Sequence, residues 1–140
     1  MLKVYISLFP LLLILSCNNQ FRQSLLSVKK QTTTIRNYIS GEDNRDTVVL
    51  KNLLSDTITT YWKMENPTKE KIINFYKDYW IKNKFSKNTI QSITAVGKND
   101  YQIKTLFEVQ RMQADTSLHF ESTIIYKLND AREIVYIGQK

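Results

Sequence analysis

Residues 101–111 read YQIKTLFEVQR and residues 118–128 read LHFESTIIYKL. Both alternate with period two, the signature of half-buried strands. In the first, Tyr101, Ile103, Thr105, Phe107 and Val109 share a face. In the second, Phe120, Ser122, Ile124, Tyr126 and Leu128 do. A tight hairpin around Ala114-Asp115 pairs odd residues with even ones, so both apolar sets fall on one side of the sheet. A slip of one residue would turn every side chain over, so the agreement of the two patterns supports the hairpin.

Working outward, "TIQSITAV" (residues 89–96) and "REIVYIG" (residues 132–138) read as two further strands, separated from the hairpin by the turn-like "GKND" and "NDA". Both faces of the last strand are apolar at Ile134 to Ile137, so its register stays open. Before the strands the period is helical. From about Thr68 to Asn83, Ile72, Ile73, Phe75, Tyr76, Tyr79 and Trp80 occupy one arc, flanked by lysines, while Glu70, Asn74 and Asp78 face outward. Asn66-Pro67-Thr68 marks its start. Apolar steps of three and four predict another helix near Val48 to Lys63, although "TITTYW" within it also suits a strand. "SGEDNRD" (Ser40 to Asp46) reads as a loop. From Phe21, the positions Leu25, Val28, Ile35 and Ile39 keep helical spacing, against which Thr32 to Thr34 argue; a helix and a loose stalk both fit.

These elements predict an α+β domain with N-terminal helices packed on a curved, four-stranded antiparallel sheet. The order from "TTYWKMENPTKEKIINFYKDYW" through "SKNTIQSITAVGKNDYQIKTLFEV" to "IIYKLNDAREIVYIG" resembles the nuclear-transport-factor-2-like superfamily, which includes ketosteroid isomerase. The resemblance covers residues 48–140 and implies a cone-shaped pocket enclosed by sheet and helices. A cystatin-like sheet with one long helix is the competing fold.

The hydroxyls expected on the inner face are those of Tyr101, Thr105, Ser122 and Tyr126, a pattern that suits either a small-molecule pocket or a satisfied core. Isomerases of the superfamily place a carboxylate inside the cone. Strand parity puts Glu108 and Glu121 on the solvated face, with Gln102, Lys104, Gln110, His119 and Lys127, and leaves Asp100, Asp115 and Asp130 in turns. His119 is the only histidine, so no His cluster for zinc and no imidazole relay is expected. No nucleophile elbow or Gly-rich phosphate loop occurs. The expectation is a non-catalytic domain without cofactor or metal.

The chain begins MLKVYISLFPLLLILSCNN. Lys3 precedes an apolar run from Val4 to Leu15, about 12 residues and short of the ~20 that span a bilayer. Ile14-Leu15-Ser16-Cys17 resembles the lipobox of bacterial lipoproteins. The resemblance implies cleavage before Cys17 and acylation of its thiol and new amino terminus. Cys17 is the only cysteine, so this use leaves none for a disulfide. Asn18 in place of Asp implies the outer membrane. The expected organisation is a signal peptide over 1–16, a lipidated tether with a possible helix or stalk over 17–46, and the α+β domain over 47–140.

The formal net charge is +7, of which Lys3 would leave with the signal. Nucleic acid is excluded as a partner by the expected address. A solvated lysine-rich surface, anionic lipid head groups or an acidic partner all suit the charge. The leading expectation is an envelope lipoprotein that binds another envelope protein or an incoming factor, as an immunity or exclusion lipoprotein would. A binder of small molecules or lipids through the cone is the alternative, and an isomerase with an inward carboxylate is a third.

Overall fold

The computed structural model describes residues 9–139, with side chains from residue 22 onward. Residues 1–8 of the expected signal peptide and the Cys17 side chain, on which the lipid anchor rests, lie outside what is described. The elements are α1 (Phe9–Asp43), α2 (Thr47–Leu53), β1 (Thr60–Tyr61), β2 (Met64–Glu65), α3 (Lys69–Lys82), β3 (Asn83–Ala95), β4 (Asp100–Arg111), β5 (Leu118–Leu128) and β6 (Ile134–Gln139). The chain divides into Met1–Lys30 and Gln31–Lys140. In the first unit the described side chains, Leu25, Leu26 and Val28 among them, are exposed. Among the described residues no helix is long and apolar enough to cross a membrane.

The second unit is an α+β cone. Its curved sheet has six strands in the order β2-β1-β6-β5-β4-β3, not the four expected. The β4–β5 hairpin has the expected register: Thr105 opposes Ser122, Ile103 opposes Ile124 and Tyr101 opposes Tyr126. Tyr101, Ile103, Thr105, Ile124, Tyr126 and Leu128 are all buried. On the other face Glu108 opposes His119, with Oε1 and Nε2 3.9 Å apart, and Lys127 reaches Asp100 at 3.5 Å.

Of the two extra strands, β1 comes from the segment expected to prolong the second helix, and β2 follows directly after it. That helix ends at Leu53, and the chain then runs beside β6. Ser55, Thr59 and Trp62 donate backbone N–H groups to the carbonyls of Ile134, Val135 and Ile137 at 2.9, 2.9 and 2.7 Å. Thr57, Ile58, Thr59 and Thr60 are β-branched and suit an extended chain, and the open edge of β6 supplies the partner that local periodicity does not reveal. The pairing of β1 with β6 is parallel, a further departure from the all-antiparallel expectation.

The expected loop at Ser40 to Asp46 is also corrected: α1 continues to Asp43. Gly41, which reads as a turn former, is instead a contact point. A Cβ there would meet Val49 Cγ1 at 3.0 Å and Leu50 Cδ2 at 3.1 Å, so its lack of a side chain admits α2. Ile35, Tyr38 and Ile39 bury the preceding turns, which makes the end of α1 part of the core. The chain reverses at Arg45 (φ 58°), and Asp46 caps α2 by accepting from Val48 and Val49 N–H at 3.0 Å each.

Helix α3 forms where expected. Thr68 accepts from Lys71 N–H at 3.2 Å, and Ile72, Ile73, Tyr76 and Trp80 are buried. Phe75, placed on the same arc by its spacing, is 45% exposed. Strand β3 starts at Asn83, directly from α3 and ahead of the expected start at Thr89. Register shifts lie between Asn83 and Phe85 and between Ile90 and Ser92. The second lets Ile90 and Ile93, three apart, both pack on the core.

Candidate functional site

A cavity of about 270 Å³ lies between α3 and the sheet, with the end of α1 on its wall. Helix α3 supplies Phe75, Tyr76, Tyr79 and Trp80 at helical spacing. The β1–β2 turn supplies Trp62. From the sheet come Ser86 and Asn88 on β3, Thr105 and Phe107 on β4, and Phe120, Ser122 and Ile124 on β5. The residues paired across strands are the ones that line the wall together: Asn88 with Phe107, Phe107 with Phe120, Thr105 with Ser122. Phe107 and Phe120 pack with centroids 5.0 Å apart, and Tyr76 and Trp80 with centroids 5.3 Å apart. Phe75 and Phe120, 45% and 49% exposed, are the most open of these rings and make an apolar rim.

Of the four hydroxyl residues expected on the inner face, Thr105 and Ser122 line the cavity. Tyr101 and Tyr126 are buried away from it. The Tyr101 hydroxyl donates to the side-chain amide oxygen Oε1 of Gln31, and Tyr126 packs edge-on against Tyr38 at 6.3 Å. Thr105 Oγ1 and Tyr79 Oη, both buried, have no hydrogen-bond partner of good geometry. Gln139 Nε2 reaches Ser122 Oγ at 3.5 Å.

The residue missed by sequence reading is Glu42. It sits in the last turn of α1, inside the stretch read as a loop, and it lines the cavity. A chain of hydroxyls ends on it: Tyr38 donates to Tyr61 at 3.0 Å, Tyr61 donates to Tyr76, and Tyr76 donates to Glu42 Oε1. Burial pushes the Glu42 carboxyl up from 4.5 to about 8, against the lowering effect of the Tyr76 hydrogen bond and with a small push from Asp43. Burial likewise holds Tyr38, Tyr61 and Tyr76 well above 10, so all three stay neutral donors at any physiological pH.

The helical step Ile35, Tyr38, Ile39, Glu42 is the signal that carries Glu42 inward. The inward carboxylate that an isomerase would require is therefore present, though on α1 and not on the strands. Neighbouring Asp43 does not line the cavity and accepts from the N–H of Asn88, a wall residue, at 2.9 Å. Arg45, at the C-terminal end of α3, donates to the carbonyls of Asn83 and Lys84 at 2.7 and 3.0 Å. Among the described residues, no Lys, Arg or His lines the cavity, and no group of His, Cys, Asp and Glu could hold a metal ion.

Trp62 is held in an unusual backbone state. It is the first of two residues joining Tyr61 to Met64, and its φ of 53° lies where a hairpin turn ordinarily places glycine. A bulky side chain there is strained. The strain is retained at a residue whose ring walls the cavity.

No protein-family model matches the sequence, and comparison with curated proteins finds no relative. Solved structures do match. A protein of unknown function from Exiguobacterium, described as NTF2-like, is 18% identical with a TM-score of 0.66, covering 76% of this chain and 95% of its own. The Δ5-3-ketosteroid isomerase of a Mycobacterium species is 12% identical with a TM-score of 0.66, covering 78% and 90%. A hypothetical protein from Catenulispora acidiphila, with a ketosteroid-isomerase-like fold and in complex with trimethylamine, is 12% identical with a TM-score of 0.67, covering 76% and 83%. At such identities the likeness is one of architecture, and it establishes the fold of this chain as the NTF2-like α+β cone.

Proposed function

We propose that the chain is a bacterial envelope lipoprotein, anchored through acylated Cys17, whose cone binds a small organic molecule without transforming it. The observation that carries the binding reading is the cavity, walled by aromatic rings and holding the half-buried Glu42 carboxyl and an unpartnered Thr105 hydroxyl. Apolar walls with few convergent polar groups are what a small-molecule site needs. At about 270 Å³ it suits a ligand smaller than a steroid, since drug-sized pockets run from roughly 300 to 1,000 Å³. The complex of one structural neighbour with trimethylamine supports a ligand of that order of size. The anchor rests on Ile14-Leu15-Ser16-Cys17, and Asn18 favours the outer membrane.

The test is ligand-induced change in the fluorescence of Trp62 and Trp80, with a panel of small aromatic and aliphatic compounds added to the full chain. Saturable change is expected from at least one class, and Ser122→Leu, which fills the cavity, abolishes it. A flat response across the panel overturns the reading. Outside the cavity, the exposed apolar side chains Ile81, Met112 and Leu118 are available to a protein partner.

Glu42 favours a second reading, proton transfer on a carbonyl compound, because a carboxyl titrating near 8 is poised as an acid or base at neutral pH. Turnover of any enolisable ketone that vanishes in Glu42→Gln would replace the binding reading with this one.

A further inference from the structure

Resting on the reading of the cone as a small-molecule site, we infer that its ligand is a small organic cation, an alkylammonium group seated among the rings with its charge matched by Glu42. Two observations converge. The rings of Trp62, Phe75, Tyr76 and Trp80 line one cavity. Aromatic faces attract ammonium groups electrostatically, most of all where water is thinned out. Glu42 is the one charged residue type on the wall among the described residues; no Lys, Arg or His stands there to repel a cation or to neutralise the carboxylate. The guanidinium of Arg45, whose charge is felt at Tyr79, donates to the backbone carbonyls of Asn83 and Lys84 and does not itself line the wall.

The hydrogen-bond chain has the matching polarity. Tyr38, Tyr61 and Tyr76 all donate in the direction of Glu42, so the chain ends on an acceptor. That arrangement is made for a carboxylate, yet burial favours the protonated acid in the empty cone. A cation supplies the missing countercharge. Its arrival releases the carboxyl proton to solvent, and the five neutral tyrosines around Glu42 (Tyr38, Tyr61, Tyr76, Tyr79 and Tyr126) are unable to take it up as bases. Asp43, the other acid facing this region, is engaged by Asn88 and feels the charge of Lys87. The protein's basic net charge opposes a cation only at long range and is screened over about 8 Å at physiological salt. Selection therefore falls to the wall of the cavity.

The experiment compares choline with 3,3-dimethylbutan-1-ol, the same shape with carbon in place of the charged nitrogen, by isothermal titration and tryptophan fluorescence on the full chain. Choline is expected to bind at least ten times more tightly than the alcohol at pH 9. Its affinity is expected to weaken by an order of magnitude or more on going to pH 6, where Glu42 is protonated, with one proton released per choline bound. The alcohol's affinity should not follow pH. Glu42→Gln should bring the two ligands to similar affinity without abolishing binding of the alcohol. The pH series on the unaltered protein decides the matter even if that variant does not fold. Equal binding of both compounds, or tighter binding of the alcohol, overturns the cation while leaving the cavity reading in place. Binding of other neutral compounds but of neither probe does the same. A flat response to every compound overturns both.

Discussion

Tyr76 on α3 donates its hydroxyl to Glu42 at the end of α1, and this one hydrogen bond joins two helices across the wall of the cavity. It ties the only described carboxyl in the cavity wall to a chain of tyrosines that runs into the core. The stability of the domain and the chemistry of its cavity therefore share a group.

The first consequence is a pH dependence of folding. Glu42 titrates near 8 in the folded chain against 4.5 when unfolded, so between those values the folded state holds a proton that the unfolded state has lost. Stability is expected to fall as pH rises from about 4.5 through 8 and to level off above that. Asp43, also raised by burial, adds to the fall. Denaturant titrations at pH 5 and pH 9 measure it. Glu42→Gln, which keeps an acceptor for Tyr76, should flatten most of the slope and be the more stable protein at pH 9. An unchanged slope would mean that Glu42 is ionised in the folded state.

At Trp62 the usual ranking of substitutions should be inverted. Removing the ring loses packing in both Trp62→Ala and Trp62→Gly, but only glycine accepts a φ of 53° without strain. Trp62→Gly should be the more stable of the two by about 1 kcal/mol, measured by chemical denaturation. A more stable alanine variant would show that the turn relaxes when the ring is gone.

The two faces of α3 differ sharply. Trp80→Ala should cost about 3–5 kcal/mol, as a large buried ring does. Asp78→Ala, on the exposed face, should change stability by less than about 0.5 kcal/mol. Similar effects from both would place the wrong face of the helix inward.

The anchor is tested separately from the fold. Metabolic labelling with a fatty-acid probe should mark the protein, and Cys17→Ala should abolish the label and the processing. Label that persists in Cys17→Ala removes the lipoprotein reading and leaves the cone untouched.

Much of the domain was legible where burial follows a simple period. The inner face of β4 and β5, with Thr105 and Ser122 on it, and the hydrophobic arc and Thr68 cap of α3 follow from local sequence alone. What escaped depends on partners distant in sequence. Gly41 reads as a turn signal until Val49 and Leu50 are seen packed against it. With that glycine taken as a turn, Glu42 loses its helical address, and the charged residue of the site looks like one more polar loop position. Residues 54–61 keep a helical spacing of apolar groups, yet the β6 edge draws them into extended pairing. Tyr101 and Tyr126 sit on the expected face but toward the end of the sheet, where Gln31 and Tyr38 of α1 cover them.

Strand β6, last in chain order, lies inside the sheet between β5 and β1. The Thr59 hydroxyl donates to the Val135 carbonyl across 76 positions of sequence. Until β6 is in place, the β1–β2 hairpin with its strained Trp62 turn has no strand joining it to the rest of the sheet. Assembly of the cone is thus gated by its final strand, and contacts of such long sequence separation make closure slow. Trp62, the one ring of the cavity wall that lies in the β1–β2 turn, is therefore among the last side chains of the site to be placed.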